Sequence, residues 1–169
     1  MKNLYITVKK EIFPISLILI LALSRLIPHP PNFTPIIAVA IMSSILFRSI
    51  YLSLIILFIS MLLSDFIIGF HKNMIFVYTS LFLITSIFYY INKKVSFINL
   101  LFFGFAGALI FFLVSNFGVW LLGSLYKKNF DGMIQCYFLA IPFFKNTLFS
   151  TIIFSYAAFF ANYFYKKVH

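Results

Sequence analysis

Long apolar runs constrain this chain more than any other feature of its sequence. The stretch 97–125 contains no Asp, Glu, Lys or Arg, and similar runs recur along the chain. Of the 169 residues, 63% are hydrophobic and 9% are charged, whereas soluble domains average about 25% charged residues. The sequence therefore predicts an all-α integral membrane protein, because helices satisfy their own backbone hydrogen bonds in lipid.

Polar breaks divide the runs into about six predicted transmembrane helices within a single domain, 1–169. The second run is short for a crossing, about 20 Å long, so whether it is a full span stays open. A re-entrant or interfacial segment is predicted at 133–144, which is too apolar for a free loop, too short to cross, and interrupted by Pro142. The predicted spans are 11–27, 35–48, 50–70, 74–91, 97–125 and 147–165.

The distribution of basic residues predicts that both termini lie on the cytoplasmic side of the membrane. Six spans place the termini on one side, and Lys and Arg concentrate on the cytoplasmic side. The inner set is then Lys2, Lys9, Lys10, Arg48, Lys93, Lys94, Lys166 and Lys167, and the smaller outer set is Arg25, Lys72, Lys127, Lys128 and Lys145. The net charge of +10 is then an orientation signal and a contact with anionic lipid rather than a sign of nucleic-acid binding.

Residues 25–35 form a polar, proline-rich connection between two apolar runs. Proline fixes φ and removes a backbone donor, so a helix cannot continue through the four prolines of this stretch. On the same predicted side, Asp65 lies just inside the end of its run, where an ionisable group needs a partner; Arg25 and Lys72 are the candidates. The predicted substrate-binding residues of this side are Arg25, His29, Asn32, Asp65, His71, Asn116, Trp120 and Asn146.

Each candidate has a functional and a structural interpretation. Arg25 would hold an anionic group of a ligand or pair with Asp65, and the asparagines would supply neutral donors and acceptors. Trp120 would form a flat wall, or it would be an interfacial belt residue. Phe143 and Phe144 are candidates for a lid.

No motif of the sequence predicts catalysis, a cofactor or a metal site. His29 and His71 are isolated, without the spacing of metal ligands, and Cys136 is the single cysteine. We therefore expect no enzyme. Two alternatives to a membrane protein that binds a substrate remain: a non-catalytic membrane structural or assembly subunit, and a less favoured metal-dependent membrane protein built on His29, His71, Asp65 and Cys136.

Four sequence blocks resemble the signature blocks of a small, uncharacterised bacterial family of membrane proteins assigned to transport. They are RLIPHPPNFTP at 25–35, SDFIIGFH at 64–71, SNFGVW at 115–120 and QCYFLAIPFFKNT at 135–147. That family is similar in size and layout to the substrate-binding (S) components of energy-coupling factor transporters.

The resemblance implies six helices and an outward-facing pocket, closed by loops, for a small organic micronutrient of the vitamin or precursor class. It also implies an energising transmembrane subunit with ATPases. S components often carry a stripe of alanines on the first helix for that subunit, and here the stripe is reduced to Ala22. Ala40 and Ser44 form a second candidate face, and a solitary transporter is the alternative.

Overall fold

The described part of the chain folds into six α-helices, as the sequence predicts. The structure is a computed structural model that describes the backbone of residues 2–47, 49–91 and 95–168, and the side chains of residues 12–47, 49–91 and 95–167. No strand occurs in these ranges, so the all-α fold class is confirmed. The helices are α1 (Lys2–Leu23), α2 (Ile36–Leu46), α3 (Ile50–Ile68), α4 (Met74–Ile91), α5 (Phe97–Leu122) and α6 (Phe130–Val168).

Four of the helices, α3 to α6, are long and apolar enough to cross a membrane. Their outward faces carry large exposed apolar side chains such as Phe66, Phe102 and Phe138. Such faces are stable against lipid and not against water. The protein is therefore a membrane protein. Six of its predicted inner basic residues, Lys2, Lys9, Lys10, Arg48, Lys93 and Lys94, lie outside the described side chains.

The short helix α2 lies at the centre of the bundle. It contacts each of the other five helices, and all its residues from Ile36 to Ser44 are buried. A helix that is apolar on every side is stable only when it is surrounded. With 11 residues it is about 16 Å long, well short of the roughly 30 Å hydrocarbon core.

The small residues suggested as a partner-binding face are used inside the protein. Ala22 and Ala40 are fully buried, and Ser44 is nearly so. The carbonyl oxygen of Ala40 accepts a hydrogen bond from Thr85 Oγ1 of α4 at 3.1 Å. These small side chains let the protein's own helices approach closely, and they present no surface to another subunit.

Helices α5 and α6 form an antiparallel pair along the length of α5. Near one end, the Tyr156 hydroxyl donates to the Phe97 carbonyl at 2.7 Å. Near the other, the Tyr137 hydroxyl donates to the Leu113 carbonyl at 2.6 Å. Both hydroxyls bond backbone carbonyls of the neighbouring helix, which fixes the register of the pair.

Residues 133–144 differ in detail from the expectation, because they belong to the continuous helix α6 and are not a separate segment. Pro142 lies inside the helix, where its ring removes one backbone hydrogen bond. Neighbouring helices make such a loss tolerable in membrane proteins. Here Phe144 packs edge-to-face on Phe112 of α5, with ring centroids 5.1 Å apart. The first part of α6 thus packs against the C-terminal part of α5.

Candidate functional site

Several polar residues that the sequence analysis singled out meet at the end of the bundle where α1, α3 and α5 finish and α2 and α4 begin, hereafter the Arg25 end. A 3₁₀ turn at Ser24–Leu26 follows α1 and directs Arg25 toward α3. There Arg25 Nη1 lies 2.7 Å from Asp65 Oδ1 and donates to Ser64 Oγ at 2.9 Å. The expected partner of Asp65 is therefore Arg25.

The Arg25–Asp65 ion pair is buried. The side chain of Arg25 is 12% exposed and that of Asp65 is 1% exposed. The second carboxylate oxygen of Asp65 accepts a hydrogen bond from the Tyr78 hydroxyl of α4 at 2.8 Å. Burying either charge alone would cost several kcal/mol, so the pair and its hydrogen bonds hold the end of α1, α3 and α4 together.

Two adjoining cavities lie beside this pair. The first has a volume of about 220 Å³ and the second about 170 Å³. They share the lining residues Asn32, His71, Val77, Phe111 and Thr147. Together they form one recess, which we call the Arg25-end pocket, at the surface of the protein and above the first residue of α2.

The wall of the Arg25-end pocket alternates between polar and aromatic side chains. Its first cavity is also lined by Asn73, Phe112, Ser115, Asn116, Val119, Ala140, Phe143 and Phe144, and its second also by Arg25, Thr34 and Ile36. A concave, largely apolar surface with a few convergent polar groups is the usual form of a small-molecule site.

Four of the eight predicted residues line this pocket: Arg25, Asn32, His71 and Asn116. Asn32 adopts a left-handed conformation with φ 60°, which Asn tolerates better than most residues. Asn116 belongs to α5, and its Nδ2 donates to the Phe112 carbonyl at 2.8 Å. Asp65 lies behind Arg25 and does not reach the cavity surface.

The other three predicted residues lie outside the pocket lining. His29 is exposed, with Nδ1 3.0 Å from the Pro30 carbonyl. Trp120 Nε1 donates to the Lys127 carbonyl at 3.0 Å, so Trp120 closes the connection between α5 and α6. Asn146 Nδ2 donates to the Pro31 carbonyl at 2.9 Å, which fastens the proline-rich loop to α6 beside the pocket.

Sequence reasoning missed several lining residues and one supporting residue. Ser115 and Thr147 are hydroxyl residues inside apolar helices, and Asn73 stands at the start of α4, where polar residues are ordinary. Helical spacing could have identified Ser115, because Phe111, Phe112, Ser115 and Val119 share one face of α5 with Asn116. Tyr78, which bonds Asp65, gave no signal among the ten tyrosines of the sequence.

The described side chains include no group of three or more His, Cys, Asp or Glu residues close enough to hold a metal ion. His29, His71 and Cys136 are therefore not gathered around Asp65. Cys136 is buried and its thiol contacts the Asn116 carbonyl oxygen at 3.6 Å. The thiol packs between α6 and α5.

Comparison with known proteins assigns the chain to a family. Residues 7–169 match the model of the family of unknown function DUF6580, and the chain belongs to that family. No curated protein and no solved structure matches it.

The ion pair generates a prediction about stability. Asp65→Asn leaves the Arg25 guanidinium buried without a countercharge, so we expect the free energy of unfolding in detergent to fall by about 3–5 kcal/mol. Adding Arg25→Met to Asp65→Asn should restore much of that loss, because the double variant buries no unpaired charge. Denaturant unfolding monitored by circular dichroism measures the free energy of unfolding of the single and the double variant.

The matched control is Asp131→Asn, which removes an exposed carboxylate at the start of α6 and should leave stability nearly unchanged. If Asp65→Asn and Asp131→Asn destabilise the protein equally, the ion pair does not hold the Arg25 end together.

Proposed function

We propose that this protein is a membrane transport protein that binds a small organic micronutrient in the Arg25-end pocket. The observation that supports the proposal most is the convergence of Asn32, His71 and Asn116 on one cavity, although they are far apart in sequence. Of the three, Asn116 lies inside a membrane helix, α5, where a polar residue is costly and usually marks a binding site or pathway. The proposal includes no catalytic role.

The layout also supports a likeness to the S components of energy-coupling factor transporters. Those proteins have six helices and bind vitamins or their precursors in a pocket closed by loops, and here a loop at 27–35 is fastened over the bundle by Asn146. An energising transmembrane subunit with ATPases would bind a surface other than Ala22, Ala40 and Ser44, because these residues are buried. A solitary transporter requires no such surface.

We further propose that the protein lies in the bacterial cytoplasmic membrane, with both termini in the cytoplasm and the pocket open to the outside. The larger number of Lys and Arg in the predicted inner set of the sequence than in the predicted outer set supports this orientation. Of the inner set, Lys166 and Lys167 lie in the last turn of α6, at the end of the bundle opposite the pocket.

Reporter fusions test the orientation. Green fluorescent protein fused after His169 should fluoresce, because it folds in the cytoplasm, and alkaline phosphatase inserted in the 123–129 connection should be active, because it requires export. The reverse pattern would show that the pocket opens to the cytoplasm.

Ligand binding is tested with the purified full chain in detergent, screened by thermal shift against vitamins, cofactors and their precursors. Asn116→Ala removes an amide of the pocket lining and should raise the Kd of the hit about tenfold, since an unpaired buried hydrogen-bonding group costs about 1–3 kcal/mol. The control is Asn162→Ala, a half-buried asparagine of α6 at the opposite end, which should bind normally.

If Asn116→Ala and Asn162→Ala raise the Kd equally, the ligand does not bind in the Arg25-end pocket. If no compound binds the wild-type protein, and Asn116→Ala lowers only its thermal stability, the polar cluster is a packing network. The protein would then be the structural or assembly subunit that the sequence allows.

A further inference from the structure

The charges at the Arg25-end pocket cancel. Apart from the imidazole of His71, Arg25 is the one charged side chain among the described residues that line it. Its charge is balanced by Asp65 at 2.7 Å. A charged ligand would therefore enter a site without a spare countercharge, and burying an unbalanced charge costs several kcal/mol.

On the side of the pocket formed by α5 and α6, the hydroxyl donors already bond backbone carbonyls. The hydroxyl of Ser115 donates to the Phe111 carbonyl at 2.6 Å, and that of Thr147 donates to the Phe143 carbonyl at 3.0 Å. Thr147 Oγ1 also lies 3.5 Å from the Asn32 carbonyl oxygen. A hydroxyl has one hydrogen, so each of these oxygens accepts from a ligand as long as its hydrogen stays on a backbone carbonyl.

The amide of Asn116 adds to this acceptor wall. Because its Nδ2 donates to a backbone carbonyl, the carbonyl oxygen Oδ1 must be the other atom of the amide. No hydrogen bond to this Oδ1 is found within the described part of the chain. Carboxylate or phosphate oxygens would face acceptors here and find no donors, whereas N–H or O–H groups would be satisfied.

Donors remain on two loop residues of the pocket lining. Asn32 and His71, which line both cavities, can each donate and accept. A ligand with a neutral acceptor, such as a carbonyl oxygen or a ring nitrogen, would be satisfied by these residues.

Four phenylalanines give the pocket its shape. The rings of Phe111, Phe112, Phe143 and Phe144 line the larger cavity, and Phe112 is fixed by edge contacts with Phe144 and Tyr137. The larger cavity, at about 220 Å³, is roomy enough for one substituted ring, since about 150 Å³ suffices for benzene. Aromatic walls favour a flat ligand.

We infer that the ligand is an uncharged molecule with one flat ring, which donates N–H or O–H hydrogen bonds to the wall of Ser115, Asn116 and Thr147. The inference rests on the proposed function and narrows its substrate class. Within the micronutrients it selects neutral amides, alcohols and amino-substituted heterocycles, and it rejects carboxylates, phosphates and ammonium compounds.

Four probes with one phenyl ring test this class on the purified full chain in nanodiscs. They are benzamide, N,N-dimethylbenzamide, benzoate and benzylammonium, which differ in charge and in the presence of a neutral N–H donor. Binding is measured by ligand-observed NMR titration. We expect benzamide to bind at least tenfold more tightly than each of the others.

Two matched variants test whether the pocket hydroxyl of Thr147 causes the preference for the N–H donor. Thr147→Val removes a pocket hydroxyl at nearly constant shape and should reduce the preference for benzamide over N,N-dimethylbenzamide severalfold. Thr151→Val makes the same change one turn further along α6, at a buried residue outside the pocket lining, and should keep the preference. Circular dichroism and melting temperature verify that both variants fold.

The outcomes separate this inference from the proposed function. Tighter binding of benzoate or benzylammonium, or no preference among the probes, overturns the ligand class and leaves a binding function intact. If no probe binds, a charged hit from the micronutrient screen overturns the class, and a neutral donor hit supports it. If the screen also finds no ligand, the proposed function and the inference fall together.

Discussion

The buried ion pair between Arg25 and Asp65 is the interaction on which the Arg25 end depends. Each charge would be costly to bury alone, so the pair connects the turn after α1 to α3. The hydrogen bond from Tyr78 to Asp65 connects α4 to the same pair. This fixed arrangement positions one edge of the pocket. It also balances the charge of Arg25, and the other polar groups that line the recess are amides, hydroxyls and the imidazole of His71.

The length of α2 explains why a recess exists. Proline cannot continue a helix from the loop, and α2 begins only at Ile36, whose side chain lines the second cavity. A full-length central helix would fill the space above it. Instead, the loop crosses that space and is held by Asn146, while α5 and α6 rise on one side. A short core helix thus provides both a stable apolar centre and an open polar end.

Much of this arrangement could be predicted from the sequence. Apolar runs predicted the helices, and the cost of an intramembrane carboxylate predicted that Asp65 has a cationic partner. The roles of His29 and Trp120 could not be predicted, because each bonds a nearby backbone carbonyl, which composition does not reveal. The continuity of α6 through Pro142 depends on packing against α5, and the contribution of Thr147 depends on where that helix meets the loop.

Above all, we propose that the Arg25-end pocket holds a small molecule. Native mass spectrometry of the protein released from nanodiscs, prepared without added ligand from a micronutrient-rich culture, tests this most directly. We predict a single adduct of non-lipid mass on the wild-type protein, absent from the pocket-filling variant Ala140→Phe and retained by Ala157→Phe on the same helix, outside the pocket lining. Wild-type protein that carries only lipid, or an adduct that Ala140→Phe retains, would contradict the account.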